Sequence, residues 1–510
     1  MRERSRRQVL ALAAAAIGYG CLADAAGFID VRMFGAAGDG TALDTAAVNR
    51  AIAAAAQAGG GIVRFSRGTY ACHSIRLMSG VTLYLERDAT ILAAPAGGYD
   101  AAEPNPWAAY QDFGHSHFHN SLIWGEGLHD VAILGPGLIW GRGLSRDVRP
   151  ADGAPSALAP GAGNKAIALK NCTNVRLRDF SVLAGGHFAV LATGVDDLVI
   201  DNLTVDTNRD GIDIDCCRRV RIAHCRVNSP HDDSICLKSS YALGRTRATE
   251  DVSISDCYVT GGYQIGTFID ADHQRFIGSA AQVSSRQCMM GRIKLGTESN
   301  GGFRNIAVEN CVMERCLGLA FETVDGGVLE NVLVRGVTMR DIRNAPIFLR
   351  LGARLRGPAG TTVGALRGVT VSGLASNSPA NHAPAIVSGI PGHPIAEVAL
   401  HDVALLQAGG GLKHFTGVPP EDAPAYPETD MFGALPAQGL FARHVRGLDL
   451  SRVAFRSVAP DARPVIWLDD VSGFRFADLR LPAGAPDPKI WRRGPERVAP
   501  DGDPDPLAAG

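Results

Sequence analysis

Two short segments bring several carboxylates close together in the chain. Residues 208–213 are Asn-Arg-Asp-Gly-Ile-Asp, and residues 232–239 are Asp-Asp-Ser-Ile-Cys-Leu-Lys-Ser. Crowded carboxylates push their pKa values apart, so that one can keep its proton near neutral pH while its neighbour is ionised. Such a pair suits general acid–base catalysis. The candidates are Asp210, Asp232 and Asp233. For Asp213 and Asp215 the alternative is a structural role, because aspartates in turns also accept backbone hydrogen bonds.

A repeating pattern of aliphatic residues surrounds both segments and must position them. The pattern is x-aliphatic-x-aliphatic-x-x-aliphatic/Cys; most successive starts lie 22 to 37 residues apart, and gaps of 54 and 50 correspond to two rungs each. Alternation with a period of two indicates strands, and a repeat that cannot bury its apolar face alone indicates stacking. We therefore predict an all-β fold, a single-stranded right-handed parallel β-helix. The occurrences are residues 174–180, 197–203, 219–225, 251–257, 305–311, 331–337, 368–374, 397–403, 447–453 and 473–479.

The register of the repeat also makes a prediction for the cysteines. Cys225, Cys257 and Cys311 occupy the same last position of the pattern, so we expect them to form an internal stack. The chain has 11 cysteines, and loss of Cys21 with an export signal would leave an even number, which permits disulfides. Buried free thiols are the alternative. An antiparallel sandwich would instead require hairpin turns about every 8 to 12 residues.

The amino-terminal segment is predicted to direct export. Residues 1–26 contain Arg6-Arg7, a short apolar run and a small-x-small sequence at 23–25, the features of a removed twin-arginine signal. The mature protein would then be periplasmic or secreted. Residues 18–20 match a lipoprotein box poorly, so we do not expect lipid on Cys21.

The remaining chain is predicted to form one domain and a tail. Residues 27–482 form the parallel β-helix catalytic domain, and residues 483–510, rich in Pro and Asp, form a loose C-terminal tail. Thr45–Ala58 predicts an α-helix with Asp44 as its N-cap, and this helix would cap the open end of the solenoid. Insertions near 144–163 and 404–440 predict long loops, which wall a groove on such a fold.

The composition excludes several classes of function. The net charge is −2 and basic and acidic residues are mixed, which is not the charge distribution expected of a nucleic-acid-binding protein. No Cys-x-x-Cys pair occurs, so structural zinc is not indicated. We expect no cofactor, no metal, no membrane span and a monomeric protein.

Several segments resemble a known family. Residues 30–40, 59–70 and 79–86 resemble the opening of the pectin-lyase-like β-helix superfamily, and residues 135–143 resemble a segment of polygalacturonases. With the two aspartate motifs, the chain resembles glycoside hydrolase family 28 over nearly the whole mature sequence.

The resemblance implies an inverting hydrolase of a pectin-like polysaccharide. In such enzymes an acid protonates the leaving oxygen and a carboxylate, roughly 6.5–9.5 Å away, activates water. By position, Asp232 would be the general acid, and Asp210 and Asp233 would hold and activate the water. Asn208 and Lys238 fall at positions suited to substrate or carboxylate contacts, and His231 adjoins the acid. Residues 296–299 resemble another family segment, in which Glu298 would orient the site.

The sequence departs from polygalacturonases at three positions. Met290 stands where they carry a histidine, and Ala320 and Glu322 stand where they carry an Arg-x-Lys pair that grips the galacturonate carboxylate. Arg292-Ile-Lys294 resembles the missing pair but lies one rung too early, so we interpret it as a coincidence. The alternative is that it supplies charge from another direction.

This departure bears on the substrate. Loss of two cations and gain of an anion would disfavour a uronate in that subsite by on the order of several kcal/mol if the groups are desolvated. A neutral sugar such as rhamnose or galactose would fit better, so we expect a branched pectin or a related heteroglycan rather than plain polygalacturonate. Glu322 could equally join the catalytic hydrogen-bond network.

Three alternatives remain open at this point. A polysaccharide lyase on the same fold would use Arg or Lys as base, which the Ala320 and Glu322 positions disfavour. A non-catalytic carbohydrate-binding β-helix is disfavoured by the three aspartates. His115, His117 and His119 alternate as on a strand and are a possible metal site, although a loop cluster is the favoured interpretation.

Overall fold

The computed structural model describes residues 27–112, 114–147, 156–269, 289–411 and 418–494. The export signal proposed for residues 1–26 lies outside these ranges, as does the last part of the predicted tail. Among the described residues, no helix has both the length and the apolar composition needed to cross a membrane. The described chain divides into two compact units: unit 1 contains residues of 27–105, 117–211 and 265–269, and unit 2 contains residues of 106–116, 212–264 and 289–494.

Unit 1 is built from parallel strands stacked rung upon rung. A rung consists of three short strands, as in Lys165–Lys170, Thr173–Arg178 and Ser181–Leu183, and these pair in parallel with Phe188–Thr193, Asp196–Asp201 and Thr204–Asp206 of the next rung. The strands are β1 (Phe28–Asp30), β2 (Asp39–Leu43), β3 (Gly61–Phe65), β4 (Gly68–Cys72), β5 (Ile75–Arg76), β6 (Val81–Leu85), β7 (Ala89–Ala93), β8 (Ile123–Glu126), β9 (His129–Leu134), β10 (Leu138–Trp140), β11 (Lys165–Lys170), β12 (Thr173–Arg178), β13 (Ser181–Leu183), β14 (Phe188–Thr193), β15 (Asp196–Asp201) and β16 (Thr204–Asp206).

Unit 2 repeats the same architecture. Here the rung of Ile235–Ser239, Thr249–Ser255 and Tyr258–Thr260 pairs in parallel with Ile293–Ser299, Phe303–Glu309 and Val312–Glu314. The strands are β17 (Asp210–Asp215), which begins at the end of unit 1, β18 (Arg218–Ala223), β19 (Arg226–Asn228), β20 (Ile235–Ser239), β21 (Thr249–Ser255), β22 (Tyr258–Thr260), β23 (Ile293–Ser299), β24 (Phe303–Glu309), β25 (Val312–Glu314), β26 (Leu319–Thr323), β27 (Val328–Arg335), β28 (Thr338–Arg340), β29 (Ile347–Leu351), β30 (Ala365–Ser372), β31 (Ala375–Asn377), β32 (Ala385–Ser388), β33 (Ile395–Gln407), β34 (Leu440–Ser457), β35 (Ile466–Arg480) and β36 (Ile490–Arg493). The predicted right-handed parallel β-helix is confirmed.

The core follows from the alternation of side chains. In β24, Ile306 and Val308 are buried and stack in register on Val332 and Val334 of β27. Successive side chains of a strand point to opposite faces. The aliphatic side chains of every pattern therefore face inward and stack on those of the neighbouring rungs. Cys225, Cys257 and Cys311 share this interior and are buried, as predicted. None of the nine cysteines in the described ranges forms a disulfide.

The polar ends of the pattern have a backbone explanation. The first and sixth residues of all ten patterns adopt left-handed conformations, with φ between 49° and 76°. Asn, Asp and Gly tolerate this region best, which accounts for their frequency at these corners. In unit 2 the corner residues also bond each other: Asn305 Nδ2 donates to Asp251 Oδ1 at 2.9 Å, and Asn331 Nδ2 donates to Asn305 Oδ1 at 2.7 Å.

The helix predicted from the sequence is present in unit 1 as α1 (Thr45–Gln57), and it packs on β1, β3 and β5 through an apolar face that includes Val48 and Ile52. Asp44 occupies the N-cap, but its side chain makes no cap bond; it accepts hydrogen bonds from Ala37 N at 2.6 Å and Gly38 N at 3.0 Å instead. Short 3₁₀ helices are Val31–Phe34, Ala108–Tyr110 and Thr429–Phe432.

The described β-helix continues into the segment assigned to the tail. β36 pairs in parallel with β35, and the rings of Trp467 and Trp491 stack at 3.4 Å between centroids. Residues 483–489 link these strands as irregular chain, so the Pro- and Asp-rich composition marks a loop followed by a further strand.

The corner geometry predicts which substitutions the fold tolerates. Asn305→Val should lower the free energy of unfolding by about 1–3 kcal/mol, because a β-branched residue is strained at positive φ and the two amide bonds are lost. Asn305→Gly loses the same bonds without the strain and should cost less. Urea unfolding followed by circular dichroism compares the two. Equal costs for Val and Gly would contradict this account of the corner.

Candidate active site

The predicted catalytic aspartates lie at the beginning of paired strands. β17 and β20 pair in parallel, with Ile212 opposite Ile235, and Ile212 N donates to Ser234 O at 3.0 Å. Asp232 and Asp233 form the turn just before β20, and Asp233 N donates to Asp232 Oδ1 at 3.1 Å. Asp210 is the buried first residue of β17.

Asp233 is held as an anion by two buried cations. Arg292 Nε donates to Asp233 Oδ1 at 2.8 Å, and Lys294 Nζ lies 3.7 Å from Asp233 Oδ2. Burial alone would raise the pKa of Asp233, but the charges of Arg292 and Lys294, with a further contribution from Lys238, lower it to about 2. Asp233 is therefore ionised throughout the physiological pH range.

The expectation that Arg292 and Lys294 match the family pair only by coincidence is wrong. β23 lies directly beside β20, with Ile293 opposite Ile235, and Arg292 O accepts hydrogen bonds from both Ser234 N and Ile235 N. An offset of one rung along a parallel stack is a single strand spacing of about 4.8 Å, which two long side chains span. The alternative, charge supplied from another direction, is the one that holds.

Glu322 joins this cluster from the next strand, as the sequence allowed. Lys294 Nζ lies 3.6 Å from Glu322 Oε2, and Thr297 Oγ1 donates to the same oxygen at 3.2 Å. Burial raises the pKa of Glu322 to about 7, even though the charges of Lys294 and Arg292 act in the opposite direction. Glu322 thus exchanges a proton near neutral pH. Ala320 is buried beside it and opposite Lys294.

A segment from far along the chain covers the cations. We call Glu421–Phe432 the strap. Arg292 Nη1 donates to Glu428 Oε2 at 3.1 Å, and Arg292 Nη2 donates to Glu428 Oε1. The ring centroid of Tyr426 lies 5.4 Å from Lys294 Nζ. Burial opposes ionisation of Glu428, but the charge of Arg292 outweighs it and lowers the pKa of this carboxyl group.

The strap is fixed at both ends. At one end Arg350 Nη2 donates to Glu421 O at 2.9 Å. At the other end Phe432 packs in an apolar cluster of unit 2, with its ring centroid 6.3 Å from that of Phe348 and 6.0 Å from that of Phe441. These contacts position Glu428 before any ligand arrives.

A second ionic network lies around Lys238. Its Nζ is 3.6 Å from Asp213 Oδ2 and 3.7 Å from Glu298 Oε2, and all three side chains are buried. Glu298 Oε1 accepts from Asp112 N at 2.9 Å and from Arg356 Nη2 at 2.8 Å. Burial would raise the pKa of Glu298, but the charges of His115 and Lys238 hold it well below its usual value. Lys238 and Glu298, both predicted as site residues, therefore bind each other.

The histidine segment is a loop, as favoured from the sequence. His115 Nε2 lies 3.4 Å from Asp213 Oδ2 in unit 2. In unit 1, His117 Nδ1 lies 3.0 Å from Glu103 O, and His119 Nε2 lies 2.9 Å from Glu126 Oε2. The three rings have different partners, and none of the three residues lies in a strand.

The other predicted residues lie near the aspartates in the chain. Asn208 is half-buried in the bend before β17, and His231 is exposed next to Asp232. Met290 is half-buried, and the neighbouring Gly291 N donates to Asp232 O at 2.8 Å. Sequence reasoning missed Glu428 and Tyr426, because a strap about 130 residues after Arg292 leaves no local signal.

Family comparisons agree with this geometry. Residues 28–95 match the model described as rhamnogalacturonase A/epimerase, pectate lyase-like. Residues 108–422, more than half of the chain, match the model of glycosyl hydrolases family 28.

Individual relatives point the same way. A Vitis vinifera protein named "Probable polygalacturonase" is 27% identical over 339 residues, which cover 63% of this chain and 62% of the relative's length. The chain thus spans less than two thirds of that relative. Among solved structures, an exopolygalacturonase from Thermotoga maritima superposes with a TM-score of 0.56 at 18% identity, covering 75% of this chain and 87% of that one.

A second solved structure supports the fold. The polygalacturonase from Erwinia carotovora gives a TM-score of 0.53 at 19% identity, covering 71% of this chain and 90% of that one. At such identities the structural likeness concerns the fold alone, and the match of residues 108–422 decides the family. This chain belongs to glycosyl hydrolases family 28.

Proposed function

We propose that this O-glycosyl hydrolase cleaves a pectic polysaccharide with inversion at the anomeric carbon. Asp232 gives its proton to the glycosidic oxygen as that bond breaks, and Asp210 and Asp233 hold the attacking water and receive its proton. The observation that carries the proposal is the pairing of Asp233 with Arg292 and Lys294, which keeps one carboxylate ionised directly beside the family's acid position.

The placement of Asp210 in this mechanism rests on the family resemblance of residues 208–213, which assigns this carboxylate to the attacking water. Asp210 is the buried first residue of β17. Asp232 and Asp233 lie just before β20, where Asp233 N donates to Asp232 Oδ1 at 3.1 Å.

We propose a substrate other than plain polygalacturonate, for a reason different from the one that the sequence suggested. The cations are present, but they are already matched: Arg292 and Lys294 face the carboxylates of Asp233, Glu322 and Glu428. Asp233 and Glu428 already balance the two positive charges, and Glu322 adds a third acid group with a pKa of about 7, so no surplus positive charge remains for a uronate. A neutral sugar beside the aspartates, as in a branched pectic heteroglycan, fits this charge pattern better.

The two rival functions have less support. The presence of Arg292 and Lys294 removes the earlier argument that a lyase would lack cations. Membership in family 28 and the engagement of both cations with carboxylates support hydrolysis instead. A non-catalytic carbohydrate-binding role offers no reason for a buried glutamate that titrates near pH 7 beside an ionised aspartate.

Asp232→Asn should abolish most of the hydrolysis. Removal of a general acid typically lowers the rate by about 10²- to 10⁴-fold. The measurement is reducing-end release from a panel of pectic and related heteroglycans, with ultraviolet absorbance recorded to detect the unsaturated product of a lyase. Asp341→Asn, an exposed aspartate of the same unit, is the matched control. Unchanged cleavage by Asp232→Asn would exclude this mechanism.

Glu322 should make stability depend on pH in an unusual direction. Its pKa in the folded protein is about 7, above the ordinary value of 4.5, so the folded state binds the proton more tightly than the unfolded chain does. Stability from this group is complete below about pH 4.5 and is lost as the pH rises through 7, by up to about 3 kcal/mol.

Glu322→Gln mimics the protonated form and should remove this decline. Urea unfolding between about pH 4 and 8 compares it with wild type and with Glu397→Gln, an exposed glutamate of the same unit. A decline of the same size in Glu322→Gln would show that another group causes it.

We also propose export by the twin-arginine route, on the basis of residues 1–26. Replacing Arg6 and Arg7 together by Lys should keep the protein inside the cell that makes it, while the unchanged protein appears in the periplasm or medium. Cell fractionation with immunodetection measures this, and export of the double variant would exclude the route.

A further inference from the structure

The donors of Arg292 are divided between two carboxylates of the protein itself. Its Nε donates to Asp233, whereas Nη1 and Nη2 form a two-pronged pair with the two oxygens of Glu428. The Arg292 side chain is 2% exposed and that of Glu428 is 26% exposed. Glu428 therefore forms the solvent-facing side of this ion pair.

The side of Arg292 that Glu428 occupies is the side that an anionic ligand would use. A guanidinium group binds a planar carboxylate through paired parallel hydrogen bonds, and a uronic acid presents that same group. Because Nε of Arg292 is bonded to the proposed catalytic Asp233, a carboxylate on Nη1 and Nη2 would belong to a sugar next to the cleaved bond.

We propose that Glu428 is a specificity-determining residue, an internal carboxylate that occupies the uronate position on Arg292 and so directs this subsite toward a neutral sugar. This inference rests on the proposed function. The strap positions the residue: Glu421 O accepts from Arg350, and Phe432 lies in the apolar cluster with Phe348 and Phe441. A substrate carboxylate must displace a group that is covalently tethered and already oriented, which is a strong competitor.

Lys294 does not offer a second uronate position. Its Nζ lies 3.7 Å from Asp233 Oδ2 and 3.6 Å from Glu322 Oε2, and the ring of Tyr426 covers it. Removal of Glu428 alone therefore leaves Arg292 as the group with a newly vacant pair of donors. The fold should persist, because Asp233 still neutralises the buried guanidinium.

The test compares the binding of digalacturonate, the probe, to wild type, Glu428→Gln and Glu428→Ala by calorimetry. Both variants should bind it roughly ten- to hundredfold more tightly, the size expected for hydrogen bonds to a charged group. Hydrolysis of polygalacturonate relative to a neutral-sugar heteroglycan should rise in the same variants. Glu421→Gln changes a carboxylate of the same strap that faces Arg443 and His444, and it should change neither result.

A second substitution tests whether the tighter binding of digalacturonate depends on Arg292. Arg292→Met combined with Glu428→Ala should bind digalacturonate no better than wild type. The inference fails if Glu428→Gln and Glu428→Ala bind no tighter than wild type, or if the gain survives loss of Arg292. Because binding is measured without turnover, an Arg292-dependent gain in a protein that cleaves no glycan would support the inference and exclude the proposed function.

Discussion

The parallel register of neighbouring rungs is the constraint on which the rest of the structure depends. Strands about 4.8 Å apart place outward side chains of successive rungs in rows, so a charge in one rung meets whatever the next rung carries. In one such row of unit 2, no two side chains of like charge are adjacent, because the charges alternate in sign or are separated by a neutral residue. It runs Glu322, Arg350, Ser388, Arg443, Asp469 and Arg493. Like charges side by side would be costly in a buried row, and here Arg443 and Arg493 both pair with Asp469 between them, whereas Arg350 donates to the hydroxyl of Ser388 and to backbone carbonyls.

The candidate site also pairs opposite charges between neighbouring rungs, with more charged groups close together. Arg292 and Lys294 lie within about one strand spacing of carboxylates from the rungs on either side, and the strap adds a third carboxylate from outside the rows. Each charged group of this cluster therefore has a partner of opposite charge within the protein. The pKa values of two carboxyl groups in the cluster differ widely, about 2 for Asp233 and about 7 for Glu322, because burial and nearby cations act on them in different proportions.

The fold was predictable because its information is local and repeated. Ten copies of one pattern indicated the strands, their inward faces and the cysteine stack, and the corner residues marked where the backbone turns. The two aspartate segments were also evident from their spacing, and the family resemblance identified Lys238 and Glu298 as site residues, although not their contact with each other. Arg292 was misjudged because an alignment to family positions treats one rung as a large distance, whereas in space it is a single strand spacing. Glu428 was out of reach, because only tertiary packing brings the strap back over β23.

The absence of disulfides among the nine described cysteines has a consequence for how the rungs assemble. Each described cysteine fills interior space as a small apolar side chain, so no covalent cross-link has to form before the rungs can stack. Stacking of the described rungs therefore requires neither an oxidant nor a disulfide isomerase, and it does not depend on the redox state of the compartment.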